Sequence, residues 1–237
     1  MTRAARESVD RGPVYLVASG QDGLLPRVAA RAYEALGKTK ARVAVTYSPV
    51  AGDARGLRFM SGRMARLFPE ATIERFAVAG EDAAMTPAKA RAVVDRADLV
   101  FVSGGDPSLG AKVLESAGAS AWLRDANARG VPLMGVSAGA IALGAWWADW
   151  PEEDDAQSDP ETELARTKLL ACVGAVPAHV FDTHNEEDDW DELRLLAKLC
   201  SRHGEKARFI GIPTGGALIF GGNGRMESVG TKPVVLE

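Results

Sequence analysis

The chain is poor in the residues that build disulfide frameworks or metal centres. It has two cysteines, Cys172 and Cys200, neither in a C-x-x-C pair, and only three histidines. Neither a disulfide scaffold nor a zinc site is expected, and a reducing compartment, the cytoplasm, is the default setting. Basic charge is not in excess: 28 Lys and Arg face 32 Asp and Glu, a net charge of -4, so there is no global field to attract nucleic acid. No apolar run reaches membrane-spanning length, and the charged start Met1-Thr2-Arg3-Ala4-Ala5-Arg6 is not followed by the apolar core of a signal peptide. P-loop, dinucleotide fingerprint and metal-ligand cluster are all missing, so no cofactor and no metal is expected. What these absences leave is a small peptide or amide substrate handled by the chain's own side chains, without nucleic-acid or membrane partners.

What is present is an alternation. At 237 residues the chain can bury a substantial core without reaching the length that usually divides into two, so one domain is expected, led by a flexible segment over residues 1–12. Short apolar runs at Val14 to Ala18, Val43 to Tyr47, Ile73 to Val78, Leu99 to Val102 and Val131 to Val136 read as buried strands. Helical spacing follows each of them: Leu24 to Leu36, Leu57 to Phe68, Pro87 to Ala97, a helix after Asp106-Pro107, and Ala138 to Ala145. Such alternation predicts an α/β fold with a doubly wound, mostly parallel sheet and helices on both faces. After Trp150 come an acidic stretch, a mixed segment, a helix from about Asp188 to Leu199 and short strands near Arg208 to Ile212, Ala217 to Phe220 and Met226 to Val229. These late strands are expected to extend the same sheet.

The fifth strand runs straight into Gly135-Val136-Ser137-Ala138-Gly139-Ala140. Small residues around a serine let a helix begin at once, which leaves the hydroxyl exposed at the turn and the Ala138 N–H directed at a developing oxyanion. Gly104-Gly105-Asp106-Pro107 closes the preceding strand. Its paired glycines allow backbone N–H groups to approach a ligand, while Asp106 and Pro107 also fit a helix cap and first turn. Both loops lie at carboxyl ends of parallel strands, where such sheets form their binding crevice. Ser137 needs a base. His203, in Ser201-Arg202-His203-Gly204, fits a helix end and His179 fits a strand, whereas His184 falls where an apolar run meets a polar loop and is the favoured partner.

Gly104-Gly105-Asp106, the Ser137 turn and Asp182-Thr183-His184, in this order and at these separations, resemble the aspartyl dipeptidase (dipeptidase E) and cyanophycinase family of serine peptidases. The resemblance runs in element order from Val14 to Phe220. It implies a flavodoxin-like fold shared with class I glutamine amidotransferases, Ser137 as nucleophile, His184 as base, and an oxyanion hole from Gly104, Gly105 and Ala138. The acidic residue of a late Gly-Ile-Asp-Glu-like segment in cyanophycinases is replaced here by Gly211-Ile212-Pro213-Thr214. Aspartyl dipeptidases carry an aspartate about fifteen residues after the serine, and Glu152 occupies that offset, with Asp149 and Glu153 close by. Glu152 is thus the expected third member of a triad. Family members tend to place arginines after the histidine, whereas this chain has Asn185-Glu186-Glu187-Asp188-Asp189.

Charge and aromatics gather behind the two candidate catalytic residues. Seven acids and no Lys or Arg lie between Glu152 and Glu163, and seven more between Asp182 and Glu192, so the substrate is expected to be neutral or cationic near the scissile bond. Trp146, Trp147, Trp150 and Trp190 cluster there too, leaving only Trp122 elsewhere. Core packing or a homodimer contact explains them first and a substrate wall second, with Asp106, Trp147 and Trp190 as the pocket candidates. Two other functions fit the residues: a weak or inactive glutamine amidotransferase-like domain with a binding or regulatory role, and an α/β-hydrolase-type esterase. The esterase ranks last, because no His-Gly-Gly-Gly segment occurs and no histidine lies near the end of the chain.

Overall fold

The computed structural model describes residues 11–20, 23–38, 40–47, 54–78, 85–151 and 160–236. Five strands form a parallel array: β1 (Val14–Val17), β2 (Arg42–Tyr47), β3 (Thr72–Arg75), β4 (Leu99–Ser103) and β5 (Leu133–Val136). Their spatial order is β3-β2-β4-β5-β1. This is the flavodoxin-type order 2-1-3-4-5 with its fifth place taken by the first strand of the chain. β1, β4 and β5 are buried along their whole length, as strands covered on both faces must be.

The period-2 alternation divides these strands between two cores. Val14, Leu16, Val100, Val102 and Leu133 face one layer with α3 (Pro87–Asp95) and α5 (Ala119–Ala128). Tyr15, Val17, Leu99, Phe101, Met134 and Val136 face the other, with α1 (Leu24–Ala35) and α2 (Ala54–Leu67). Helix α5 has no counterpart among the sequence-based elements.

Only part of the late chain extends the main sheet. With β6 (Trp146–Asp149), β7 (Lys168–Ala171), β8 (His179–Thr183) and β9 (Arg208–Ile212) preceding them, β10 (Gly216–Phe220) and β11 (Met226–Gly230) add antiparallel to the free edge of β1. β8 and β9 instead pair in parallel, join β12 (Val234–Leu236) in a separate three-stranded sheet, and leave β6 and β7 as an antiparallel pair. Periodicity shows that a segment is a strand but not which edge it joins, and here a third core of Ile141, Trp147, Val180, Trp190, Leu193 and Leu196 made the second sheet possible. That core lies beneath α8 (Asp191–Arg202), an amphipathic helix that buries Leu193, Leu196, Leu199 and Cys200. The leading segment lies outside the described residues up to position 10. Gly12 is tied to Asn127, donating its N–H to the Asn127 carbonyl and accepting from the side-chain amide. Among the described residues, no helix is long and apolar enough to cross a membrane.

Candidate active site

The Ser137 turn is held by close backbone approach. A Cβ at Gly139 would lie 2.1 Å from the Val102 carbonyl oxygen, and one at Gly135 would lie 2.4 Å from that of Gly139, so both positions require glycine for the strand-to-helix reversal to seat against β4. Ser137 itself adopts φ 53°, ψ -128°, a conformation that costs a non-glycine residue about 1–3 kcal/mol and must be imposed by its surroundings. Its N–H donates to the Val17 carbonyl at 3.0 Å, and its carbonyl accepts from Ala140 at 2.7 Å. The helix that follows, α6 (Ala138–Ala142), is shorter than its sequence suggests, a little over one turn. The first N–H groups of such a helix have no partner within it, the Ala138 N–H among them.

Gly104 lies directly against the serine: a Cβ there would stand 2.8 Å from Ser137 Cβ and 3.3 Å from Oγ. Gly105 takes φ 136°, which side chains rarely tolerate, and turns the chain into α4 (Pro107–Ser116). Asp106 is the cap of that helix, accepting from the Leu109 N–H at 3.0 Å, with Pro107 in its first turn. Its position is explained by the helix, and Gly105 and Pro107, not Asp106, line the cleft.

The second sheet delivers the histidine. β8 packs against the end of α6 because Gly144 leaves room: a Cβ there would meet Phe181 at 3.0 Å and the His179 carbonyl at 3.1 Å. The carboxyl end of β8 thereby reaches Ser137, and His184 Nε2 lies 2.8 Å from Ser137 Oγ. His184 has φ 47°, anchors its own N–H on the Ile212 carbonyl at 3.0 Å, and is exposed to solvent. The other histidines are elsewhere. His179, at the opposite end of β8, stacks on Phe181 and contacts Phe220 and the Pro177 carbonyl; His203 caps the carboxyl end of α8.

Ser137 and His184 open into a cleft of about 410 Å³, lined also by Gly105, Ala138, Ile141, Trp147 and the polar run Asp182 to Asn185. Trp147, 1% exposed, contributes to this wall. Trp190 does not. It is buried in the third core with Gly211 packed under its ring, where a Cβ would come within 2.5 Å of the indole.

Glu152 and Glu153 lie outside the described residues. Asp149 is paired with Lys112 at 2.5 Å. Among the described residues, Asp182 and Glu186 are carboxylates that feel the His184 ring. Glu186 accepts from the Thr214 N–H at 3.0 Å and titrates below the usual glutamate range, its hydrogen bonds and the imidazole outweighing partial burial. Thus the late segment that lacks a carboxylate of its own receives one from the loop after β8. Asp182 is 2% exposed, accepts from the Thr183 N–H and the Asn185 amide, and is pushed above the usual aspartate range chiefly by burial. Nothing in the local sequence distinguishes Asn185, whose amide also reaches Asp191 at 3.4 Å.

The raised Asp182 has a consequence for stability. The folded chain holds this proton to higher pH than the unfolded one, so stability at this site falls as pH rises from the ordinary aspartate value near 4 through the folded pKa. Asp182→Asn removes that fall and adds a pH-independent cost, because its amide faces the Asn185 donor. Thermal scans from about pH 4 to 8 should therefore find the variant's melting temperature, relative to the parent, rising with pH. A flat difference would show that Asp182 keeps its ordinary titration.

Cysteine chemistry has no place in this site. Burial pushes the Cys172 thiol up to about 12 and that of Cys200 up to about 11, so neither is a thiolate at neutral pH.

The sequence pattern of peptidase family S51 matches residues 16–227. No curated protein matches by sequence at significance. Among solved structures, a peptidase from an acI-B1 Actinobacterium superposes with a TM-score of 0.70 at 19% identity, over 94% of this chain and 89% of that one. A putative peptidase E from Listeria monocytogenes EGD-e does so with 0.60 at 15% identity, over 94% of this chain and 100% of its own. At these identities the two structures speak to the fold, and the sequence pattern, covering nearly the whole chain, speaks to descent. The chain belongs to peptidase family S51, the dipeptidase E and cyanophycinase family of serine peptidases.

Proposed function

We propose that the chain hydrolyses a peptide or amide bond through an acyl-enzyme on Ser137. Ser137 Oγ attacks the scissile carbonyl carbon while His184 Nε2 takes the hydroxyl proton, then returns it to the departing amine; water repeats the cycle on the ester and frees the acid. This requires the neutral tautomer with its lone pair on Nε2. N–H groups of Ala138 and of the Gly104-Gly105 turn hold the oxyanion, and Glu152 orients the imidazole. The observation that carries the reading is the 2.8 Å contact between His184 Nε2 and a serine in a strained turn. Family membership favours it over the esterase and the inactive amidotransferase-like domain.

Fluorophosphonate labelling followed by peptide mapping tests it: the label should fall on Ser137 alone, and a chain that stays unlabelled, or is labelled elsewhere, removes the nucleophile. Gly104→Ala gives a second test. Its methyl would press on Ser137 Cβ and on the Val136 carbonyl at 3.0 Å, and displacements of this size cost on the order of 100-fold in rate. Labelling should slow by about that factor while the fold survives. An unchanged rate would mean that the loop gives way and does not position the serine.

A further inference from the structure

We propose that Glu186 is a positioning residue, the clasp through which the turn after β9 sets His184 against Ser137. This deepens the peptidase reading and rests on it for the roles of those two side chains.

Ser137 follows a strand of the seven-stranded sheet and His184 a strand of the three-stranded one, so their 2.8 Å contact needs a reference common to both sheets. β8 is fixed at its amino end, where the Ala145 N–H donates to the His179 carbonyl at 2.8 Å. At its carboxyl end the pairing with β9 stops at Thr183 and Ile212. His184 comes next with φ 47°, leading a loop in which residues 186–189 are exposed and Asp189 and Trp190 also take positive φ. Backbone of this kind persists only where its surroundings impose it. Asn185 ties the loop to Asp182 on β8 and Asp191 on α8, both on the histidine's own side of the site.

The turn over residues 213–216 reaches both sides. Towards the base, the His184 N–H donates to the Ile212 carbonyl at 3.0 Å. Two residues further on, the Glu186 carboxylate accepts from the Thr214 N–H at 3.0 Å and is bonded by the Thr214 side chain as well. Towards the nucleophile, the Gly216 N–H closes the turn on the Pro213 carbonyl at 2.8 Å, and the Gly216 carbonyl accepts from the Ala18 N–H at 3.1 Å. Ala18 adjoins Val17, whose carbonyl holds the Ser137 N–H. The turn has little room to shift: a Cβ at Gly216 would lie 2.8 Å from the Pro213 carbonyl oxygen and 2.9 Å from that of Thr231. A run of hydrogen bonds thus leads from Ser137 through Val17, Ala18, Gly216 and Pro213 to the loop that carries His184, and Glu186 is its side-chain link. A carboxylate suits that place, since hydrogen bonds to an ionised acceptor are stronger than those between neutral groups.

The test sets Glu186→Ala beside Glu186→Gln, whose amide oxygen still accepts from Thr214, with Glu187→Ala as the control from the same exposed loop. With the clasp gone, misplacement of the base should lower kcat and the saturating rate of fluorophosphonate acylation by about 10- to 100-fold, while KM changes by less than about threefold. Glu186→Gln should recover most of that loss and Glu187→Ala should match the parent. Because Glu186 is exposed, melting temperatures should stay within a few degrees of the parent's. Parental rates in Glu186→Ala, a loss carried by KM, or no recovery with glutamine would overturn the clasp. A second measurement needs no turnover. The chain has three histidines, so its ring 13C signals can be resolved by NMR and that of His184 assigned by its loss in His184→Ala. The His184 signal should shift or broaden in Glu186→Ala and return in Glu186→Gln, with His179 and His203 unmoved. That pattern in a chain that takes no label at Ser137 would keep the clasp and end the nucleophile assignment. An unmoved His184 signal in a Glu186→Ala chain labelled at Ser137 at the parental rate would end the clasp alone.

Discussion

Ser137→Ala should lower hydrolysis by about 10⁴- to 10⁶-fold, to the residual rate that bound, oriented substrate and oxyanion donors alone sustain, and should abolish fluorophosphonate labelling. Loss on this scale is expected because the hydroxyl forms and breaks the covalent bond in both halves of the reaction. The fold should tolerate the change. The turn is held by the backbone bonds to Val17 and Ala140 and by the glycines at 135 and 139, none of which involves Oγ. Alanine carries the same steric burden at φ 53° as serine, so melting temperature should move by no more than a few degrees. A variant that folds and still hydrolyses at the parental rate would overturn the assignment.

His184→Ala should cost on the order of 10³- to 10⁴-fold in kcat, since the serine then loses the acceptor 2.8 Å away. KM should change far less, because the imidazole acts on the proton in flight and not on bound substrate. His179→Ala and His203→Ala supply the controls. His179 packs among Phe181 and Phe220, so its loss should lower stability and leave turnover near the parental value; His203 at a helix end should matter to neither. Equal losses for all three histidines would point to unfolding and remove the general-base assignment.

The parallel half of the fold was legible because strands buried on both faces must be largely apolar, and β1 and β5 are so throughout while β4 is so up to its terminal Ser103. Helix α5 escaped because Ala119-Ser120-Ala121 and Asp125-Ala126-Asn127-Ala128 dilute its apolar stripe, although Trp122 and Leu123 are buried. The serine turn could be read since close backbone approach leaves a mark in composition, glycine on either side of Ser137. His184 was legible for a different reason, as the polar end of an apolar run. What could not be read was whatever depends on long-range pairing: the second sheet, the bond from Glu186 to Thr214, and the burial of Asp182. Trp190 shows the limit from the other side. Sequence proximity to His184 suggested a pocket wall, but a left-handed φ of 61° at the start of α8 places the ring over Gly211 in the core.

The displaced position of β1 bears on how the enzyme is made. Translation delivers this strand well before its hydrogen-bonding neighbours, Leu133–Val136 on one side and Gly216–Phe220 on the other. A nascent chain therefore carries an apolar strand with both edges open until Val136 has emerged and one edge open until Phe220 has, a high-contact-order arrangement that folds slowly and exposes sticky surface meanwhile. The same delay bears on the site. Ser137 is fixed by the Val17 carbonyl, so the reactive geometry forms only when the first strand docks beside the fifth. The reactive geometry is thus withheld from the growing chain by topology.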